Sequence, residues 1–94
     1  MPDHLASELL ATLREALSNV GRHAHATNVD VQIDATAAGV LLRVQDDGIG
    51  MPEVLARESG VRNMGDRARR LGGTFAIQPA DGGGTLVDWQ IPLK

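Results

Sequence analysis

The chain predicts a two-layer α+β sandwich: helices on one face of a mixed, mostly antiparallel sheet. Three observations carry this. The elements read off in the order helix, strand, strand, helix, strand, strand, which suits one sheet covered on one side. Short turn signals join the strands in pairs, as in hairpins. The 94 residues, 43% hydrophobic and 22% charged, suit one small domain over residues 1–94 and not two.

Residues from about Leu5 to Ala24 read as an amphipathic helix. Leu9, Leu10, Leu13, Ala16, Leu17 and Val20 follow the 3.6 period and mark its core face. His23 and His25 fall near its end, where positive charge suits the helix dipole. Val29, Val31, Ile33 and Ala35 alternate with Asp30, Gln32 and Asp34, as in a half-buried strand. Ala38-Gly39 is the expected turn into a second strand, Val40 to Gln45, ending at Asp46. Met51 to Ser59 reads as a charged loop. Val61, Met64, Ala68 and Leu71 mark a second helix, closed by Gly72-Gly73. Gly65 lies inside it and costs up to ~1 kcal/mol relative to alanine. Thr74 to Gln78 and Thr85 to Ile91 are the last strands, joined by a tight turn at Asp81 to Gly84. Trp89 reads as core.

Composition removes several function classes. There is no cysteine, which excludes disulfides, thiolate catalysis and Cys-ligated zinc. No apolar run approaches the ~18 residues of a membrane span. Asp3, His4 and Glu8 interrupt what would be the apolar region of a signal peptide, so a cytoplasmic location is expected. A net charge of −3 argues against a broad nucleic-acid surface. The sole lysine is Lys94, so neither a P-loop nor a strand lysine of the eukaryotic protein-kinase type is available for phosphates.

Asp46-Asp47-Gly48-Ile49-Gly50 follows directly on a buried strand. A carboxylate at a strand end beside two glycines suits a ligand that approaches the backbone closely. It equally suits an ordinary turn, and Asp47 reads as a solvated turn residue. Gly60 opens the second helix, whose N-terminus offers free N–H groups to phosphate. Glu15 and Asn19 are spaced i,i+4 on one helix face. Most such polar stripes are only solvated, but a carboxylate beside an amide oxygen also suits Mg²⁺. His23 and His25 are i,i+2 and do not face each other, so no metal pair is expected from them. Arg62, Arg67, Arg69 and Arg70 are candidates for phosphate or partner contacts, with Arg62 best placed beside Gly60, although exposed helix arginines commonly serve neither role.

Four of these segments together resemble a known superfamily. Arg14-Glu15-Ala16-Leu17-Ser18-Asn19-Val20-Gly21-Arg22-His23-Ala24 resembles the N box of the GHKL ATPases, which include histidine kinases, gyrase, Hsp90 and MutL. Asp46 to Gly50 resembles their G1 box, Gly60-Val61-Arg62-Asn63-Met64 the G2 region, and Gly82-Gly83-Gly84-Thr85 the last glycine box. The order is the family's, and the likeness covers essentially the whole chain. Glu15 to Ala24, Arg67 and Leu71-Gly72-Gly73 are most similar to sensor kinases of the NarL/DesK type, and among those to actinobacterial haem sensor kinases of the DevS/DosT sort.

The resemblance implies a Bergerat ATP-binding fold that holds ATP and Mg²⁺. Asn19 would ligate the metal, and Glu15 would orient water or act as base. Asp46 would accept a hydrogen bond from the adenine amino group. Gly48 and Gly50 would admit the base and the start of the lid. Gly60, Arg62 and His23 would lie toward the phosphates. Gly84 belongs to the last glycine box, and Thr85 would help hold adenine through water. The implied partners are a histidine-bearing dimerisation domain of the same kinase and a downstream response regulator, with no nucleic acid or membrane contact by this domain. The phosphoacceptor motif would lie upstream in a longer sensor kinase, so the isolated domain is expected to bind ATP without phosphorylating itself. Glu58-Ser59-Gly60-Val61 departs from the usual Gly-x-Gly-Leu, and the lid is short. Two alternatives stay open: a non-catalytic nucleotide-binding module, and a GHKL serine kinase of a sigma-factor network.

Overall fold

The computed structural model describes residues 3–19, 28–48, 59–80 and 83–93. Six elements follow in the expected order: α1 (Asp3–Asn19), β1 (Val29–Thr36), β2 (Gly39–Asp46), α2 (Ser59–Arg70), β3 (Thr74–Pro79) and β4 (Thr85–Pro92). The strands form one sheet in the order β1-β2-β4-β3. Among the described residues every pairing is antiparallel. Both helices pack against the sheet and against each other.

Strand alternation builds the core. Val40, Leu42 and Val44 of β2 and Val87, Trp89 and Ile91 of β4 turn to the helix side. They meet Leu5, Leu9 and Ala16 of α1 and Val61, Met64 and Ala68 of α2. Trp89 is fully buried, as expected. Each large aliphatic side chain buried in this layer contributes about 1.5–3 kcal/mol.

The buried face of α1 is rotated from the expected one. Leu5, Leu9, Thr12 and Ala16 are buried, whereas Leu10 is 54% and Leu17 41% exposed. Thr12 can occupy the centre because its hydroxyl donates to the Glu8 carbonyl at 2.9 Å, so no polar group is left unpaired. The expectation for β1 also fails. All its residues are exposed, including Val29, Val31 and Ile33. Their register partners Asp46, Val44 and Leu42 are buried, so these residues share the helix-side face. β1 is the edge strand, and the helices pack over β2, β4 and β3. The β1–β2 turn is Ala37-Ala38, one residue earlier than expected. Thr36 Oγ1 accepts from the Ala38 N–H at 3.1 Å.

The end of α2 agrees with the sequence in detail. Gly72 has φ +78°, its N–H donates to the Arg69 carbonyl at 3.1 Å, and the Gly73 N–H donates to Ala68 at 2.8 Å. These are the two bonds of a Schellman cap, and the positive φ explains the glycine.

Between the helices, Arg67 Nε lies 2.7 Å from Glu8 Oε2, and Arg70 is 3.6 Å from the same oxygen. The Arg67 N–H is not aligned on that oxygen, so the pair is a charge contact more than a directed hydrogen bond. Arg67 also reaches Thr12 Oγ1 at 3.4 Å. Residues later in α1 thus meet residues earlier in α2, and the two helices run antiparallel. The C-terminus of α1 and the N-terminus of α2 therefore lie at one end of the pair. α2 closes against β4 at Gln90 and Ile91, and its twelve residues place its start about 18 Å away.

Candidate functional site

The site is built where β2 ends. Asp46 is the last residue of β2, and its side chain points to the helix side like Val44 and Leu42 before it. It is only 4% exposed, unusual for a carboxylate, and no ion pair joins it to a described residue. Its Oδ1 accepts the Gly48 N–H at 2.9 Å, an Asx turn that fixes the side chain over the following backbone. Oδ2 accepts no hydrogen bond from any described residue. A buried carboxylate with one oxygen committed and one not engaged by any described residue is suited to accept from a ligand donor.

β4 supplies the second wall. Its register with β2 runs to Gln45↔Leu86, and the next step brings Thr85 opposite Asp46 on the same face. Thr85 is 6% exposed. Immediately before it, Gly83 and Gly84 have φ +106° and +86°. A Cβ on Gly84 would fall 1.9 Å from the Asp46 carbonyl oxygen and 3.0 Å from Oδ1. No side chain fits there, so the turn lies directly against the carboxylate. The structure thus brings together four of the sequence-predicted residues: Asp46, Gly48, Gly84 and Thr85.

The other candidates lie at the helix ends. Glu15 is half-buried on α1, one turn before Asn19, the last described residue of that helix. Gly60 is in the first turn of α2, and Arg62 follows it, exposed and without an ion pair among the described residues. His23 and Gly50 lie outside the described residues, as do the His25 position and the expected loop from Met51. The other arginines of α2 are taken by intramolecular pairing: Arg67 and Arg70 face Glu8, and Arg69 pairs with Asp66. No cluster of three or more metal-ligating His, Cys, Asp or Glu side chains occurs among the described residues. None of the described helices is long and apolar enough to cross a membrane.

Asp47 is exposed, as the sequence suggests, but its carboxylate is engaged across the sheet. Its Oδ1 accepts the Asn28 main-chain N–H at 2.9 Å, and its Oδ2 accepts the Asn28 side-chain amide at 3.0 Å. Only the pairing of β1 with β2 brings Asn28 to it, and a partner nineteen residues away leaves no local sequence signal.

Similarity to known proteins converges on this arrangement. The sequence profile of the histidine kinase-, DNA gyrase B- and HSP90-like ATPases matches residues 5–94. Sensor protein VraS of Staphylococcus haemolyticus and that of Staphylococcus aureus strain COL are each 35% identical over 96 aligned positions, which span this whole chain. The chain spans 28% of the length of those relatives. Among solved structures, the ATP binding domain of PrrB from Mycobacterium tuberculosis superposes with a TM-score of 0.77 at 27% identity, covering 94% of this chain and 68% of that one. The blue-light activated histidine kinase of Erythrobacter litoralis EL346 superposes with a TM-score of 0.80 at 26% identity, covering 99% of this chain and 32% of that one. With the fold, the buried strand-end carboxylate and the glycine turn against it, these likenesses establish that the chain belongs to the histidine kinase-, DNA gyrase B- and HSP90-like ATPase family.

Proposed function

We propose that the domain binds Mg²⁺-ATP and presents its γ-phosphate to a histidine on the dimerisation domain of a two-component sensor kinase, with a response regulator downstream. The observation that carries the adenine end is the buried Asp46 carboxylate, its second oxygen not engaged by any described residue and Gly84 pressed against it. An exocyclic amine donates to such an acceptor, and Gly48 has no side chain to keep a flat ring from the backbone. Thr85, across from Asp46, is placed to hold the same ring through a water. The G1 box assigns the entry to the lid to Gly50.

The donor set at the α1 terminus suits Mg²⁺, since Asn19 and Glu15 supply hard oxygens one helical turn apart. Asn19 is the proposed metal ligand. Bound Mg²⁺ supplies charge neutralisation on the phosphates. Glu15 orients the nucleophile or takes its proton. Gly60 lets the start of α2 aim its N–H groups at the phosphates, with Arg62 and His23 adding positive charge. Arg62 has the further support that it is the one arginine of α2 not paired with a described acid.

The NarL/DesK assignment rests on the N box with Arg67 and the Leu71-Gly72-Gly73 close, and a cytoplasmic site of action follows from it. The Glu58-Ser59-Gly60 departure favours a second reading, a nucleotide-binding module without phosphotransfer. Calorimetry with a non-hydrolysable ATP analogue and Mg²⁺ tests the common core of both. Asp46→Asn should weaken binding about ten- to a hundredfold, the ~1.5–3 kcal/mol of a hydrogen bond to a charged group. Unchanged affinity in that variant would remove Asp46 from the pocket. A phosphotransfer assay against a histidine-hairpin protein then separates kinase from passive module.

A further inference from the structure

The end of β2 is held from both sides, and only one of the two holds belongs to the glycine turn. On the β4 side, Gly84 abuts Asp46 directly. On the β1 side, three hydrogen bonds join Asp47 to Asn28. Asn28 donates twice, through its main chain at 2.9 Å and its amide at 3.0 Å, and the Asp47 N–H donates back to the Asn28 carbonyl at 3.2 Å. They lie one step past Val29↔Asp46, the last pair of the β1–β2 ladder. Strand ends ordinarily fray, and this one is closed by a carboxylate that uses both oxygens.

The location gives the grip a consequence beyond stability. Asp47 lies between Asp46, whose carboxylate turns to the helix side, and Gly48, whose N–H holds Asp46 Oδ1. If the peptide at position 47 rotates, the Asp46 carboxylate loses both its anchor and its aim. Asn28, in turn, is where the chain joins the sheet on its way from the C-terminus of α1. We propose that Asp47 is a positioning residue for the nucleotide site: through Asn28 it fixes the orientation of Asp46. The proposal rests on the nucleotide reading above.

The chemistry of the pair offers a reciprocal test. Asp47→Ala removes both acceptors. Asn28→Asp sets a second carboxylate against the first. Combining Asn28→Asp with Asp47→Asn restores a carboxylate facing an amide with the roles exchanged, and the main-chain N–H at position 28 keeps an acceptor. Affinity for the ATP analogue with Mg²⁺ should fall about tenfold in each single variant, the loss expected for one charge-assisted bond. The double variant should recover to within about threefold of the starting protein. Thermal melts run in parallel, and exchange of the Gly48 amide proton reports the Asp46 Oδ1 bond without nucleotide. That amide should exchange faster in Asp47→Ala and Asn28→Asp and slow again in the double variant. Lower melting temperature with unchanged affinity and unchanged Gly48 exchange would make the grip purely structural and overturn the proposal. So would a double variant no better than Asn28→Asp. Should Asp47→Ala not fold, Asn28→Asp and the double variant still decide. If the unaltered protein binds no nucleotide, the functional reading falls, and Gly48 exchange alone judges the grip.

Discussion

The two ends of β4 use glycine for the same mechanical purpose and reach opposite outcomes. At one end, a Cβ on Gly84 would meet the Asp46 carbonyl oxygen at 1.9 Å. At the other, a Cβ on Gly73 would meet the Gln90 carbonyl oxygen at 2.0 Å and Ile91 Cδ1 at 2.5 Å. Both positions exclude every side chain. Only the first abuts a buried carboxylate; around the second, Gln90 is exposed and Ile91 is plain core. A hollow of about 440 Å³ lies at this second end, lined by Gly39, Gly73, Thr74 and Gln90 among others. Its only charged lining residue is the exposed Asp34. Close backbone approach and open volume are therefore insufficient marks of a site. What sets the first end apart is a buried carboxylate at the close contact, with one oxygen that no described residue engages.

That contrast can be broken most forcefully at the glycines. Gly84→Ala combines a positive φ with a backbone clash, and the two together cost several times the ~1–2 kcal/mol of the left-handed conformation alone. It should both lower the melting temperature and abolish nucleotide binding in whatever fraction stays folded. Gly73→Ala should destabilise by ~1–3 kcal/mol through overpacking while the folded fraction binds nucleotide normally. Calorimetric titration corrected for folded fraction separates them. Equal loss of binding in both variants would dissolve the distinction between the two ends.

A smaller effect is expected between the helices. Glu8→Gln leaves Arg67, 17% exposed, without its counter-charge and should cost ~1–3 kcal/mol in chemical denaturation. Because the pair sits toward the end of the helices away from Asn19 and Ser59, affinity for nucleotide should change less than twofold. A tenfold loss would mean that the spacing of the helices is set there and transmitted to the phosphate end.

The sequence made the order and type of all six elements legible, and for a physical reason. Alternation in β2 and β4 and the spacing of Val61, Met64 and Ala68 are dictated by burial against one layer. The Gly72-Gly73 cap was legible because a left-handed residue is needed there. The failures share a different cause. Leu10, Leu17 and the apolar residues of β1 carry the right period, but which of them is covered depends on how far the helix layer extends across the sheet. Thr12 was passed over because a hydroxyl buried by bonding its own helix has no hydrophobic signature. At the site, Asp46 and its glycines stood out in one contiguous motif. The partner of Asp47 did not, since Asn28 becomes its neighbour only through the β1–β2 register.

Gly65 is the third test of the comparison and carries the smallest effect. It is buried inside α2, where glycine lowers helix stability by ~1 kcal/mol relative to alanine. Its helical backbone suits any residue. The nearest atoms to an added Cβ would be an Arg69 side-chain nitrogen and Phe75 Cδ2, both at 3.4 Å. Neither is backbone, and the arginine terminus is exposed and free to yield. Phe75 is half-buried at the margin of the core, so it too has room to shift by a few tenths of an ångström. Gly65→Ala should therefore be neutral or stabilising by up to ~1 kcal/mol, with nucleotide affinity unchanged. A loss of more than ~1 kcal/mol would show that α2 sits on Phe75 as tightly as Gly73 sits on Gln90. Gly65, Gly73 and Gly84 would then all be packing residues first, with Gly84 set apart from the other two only by the carboxylate beside it.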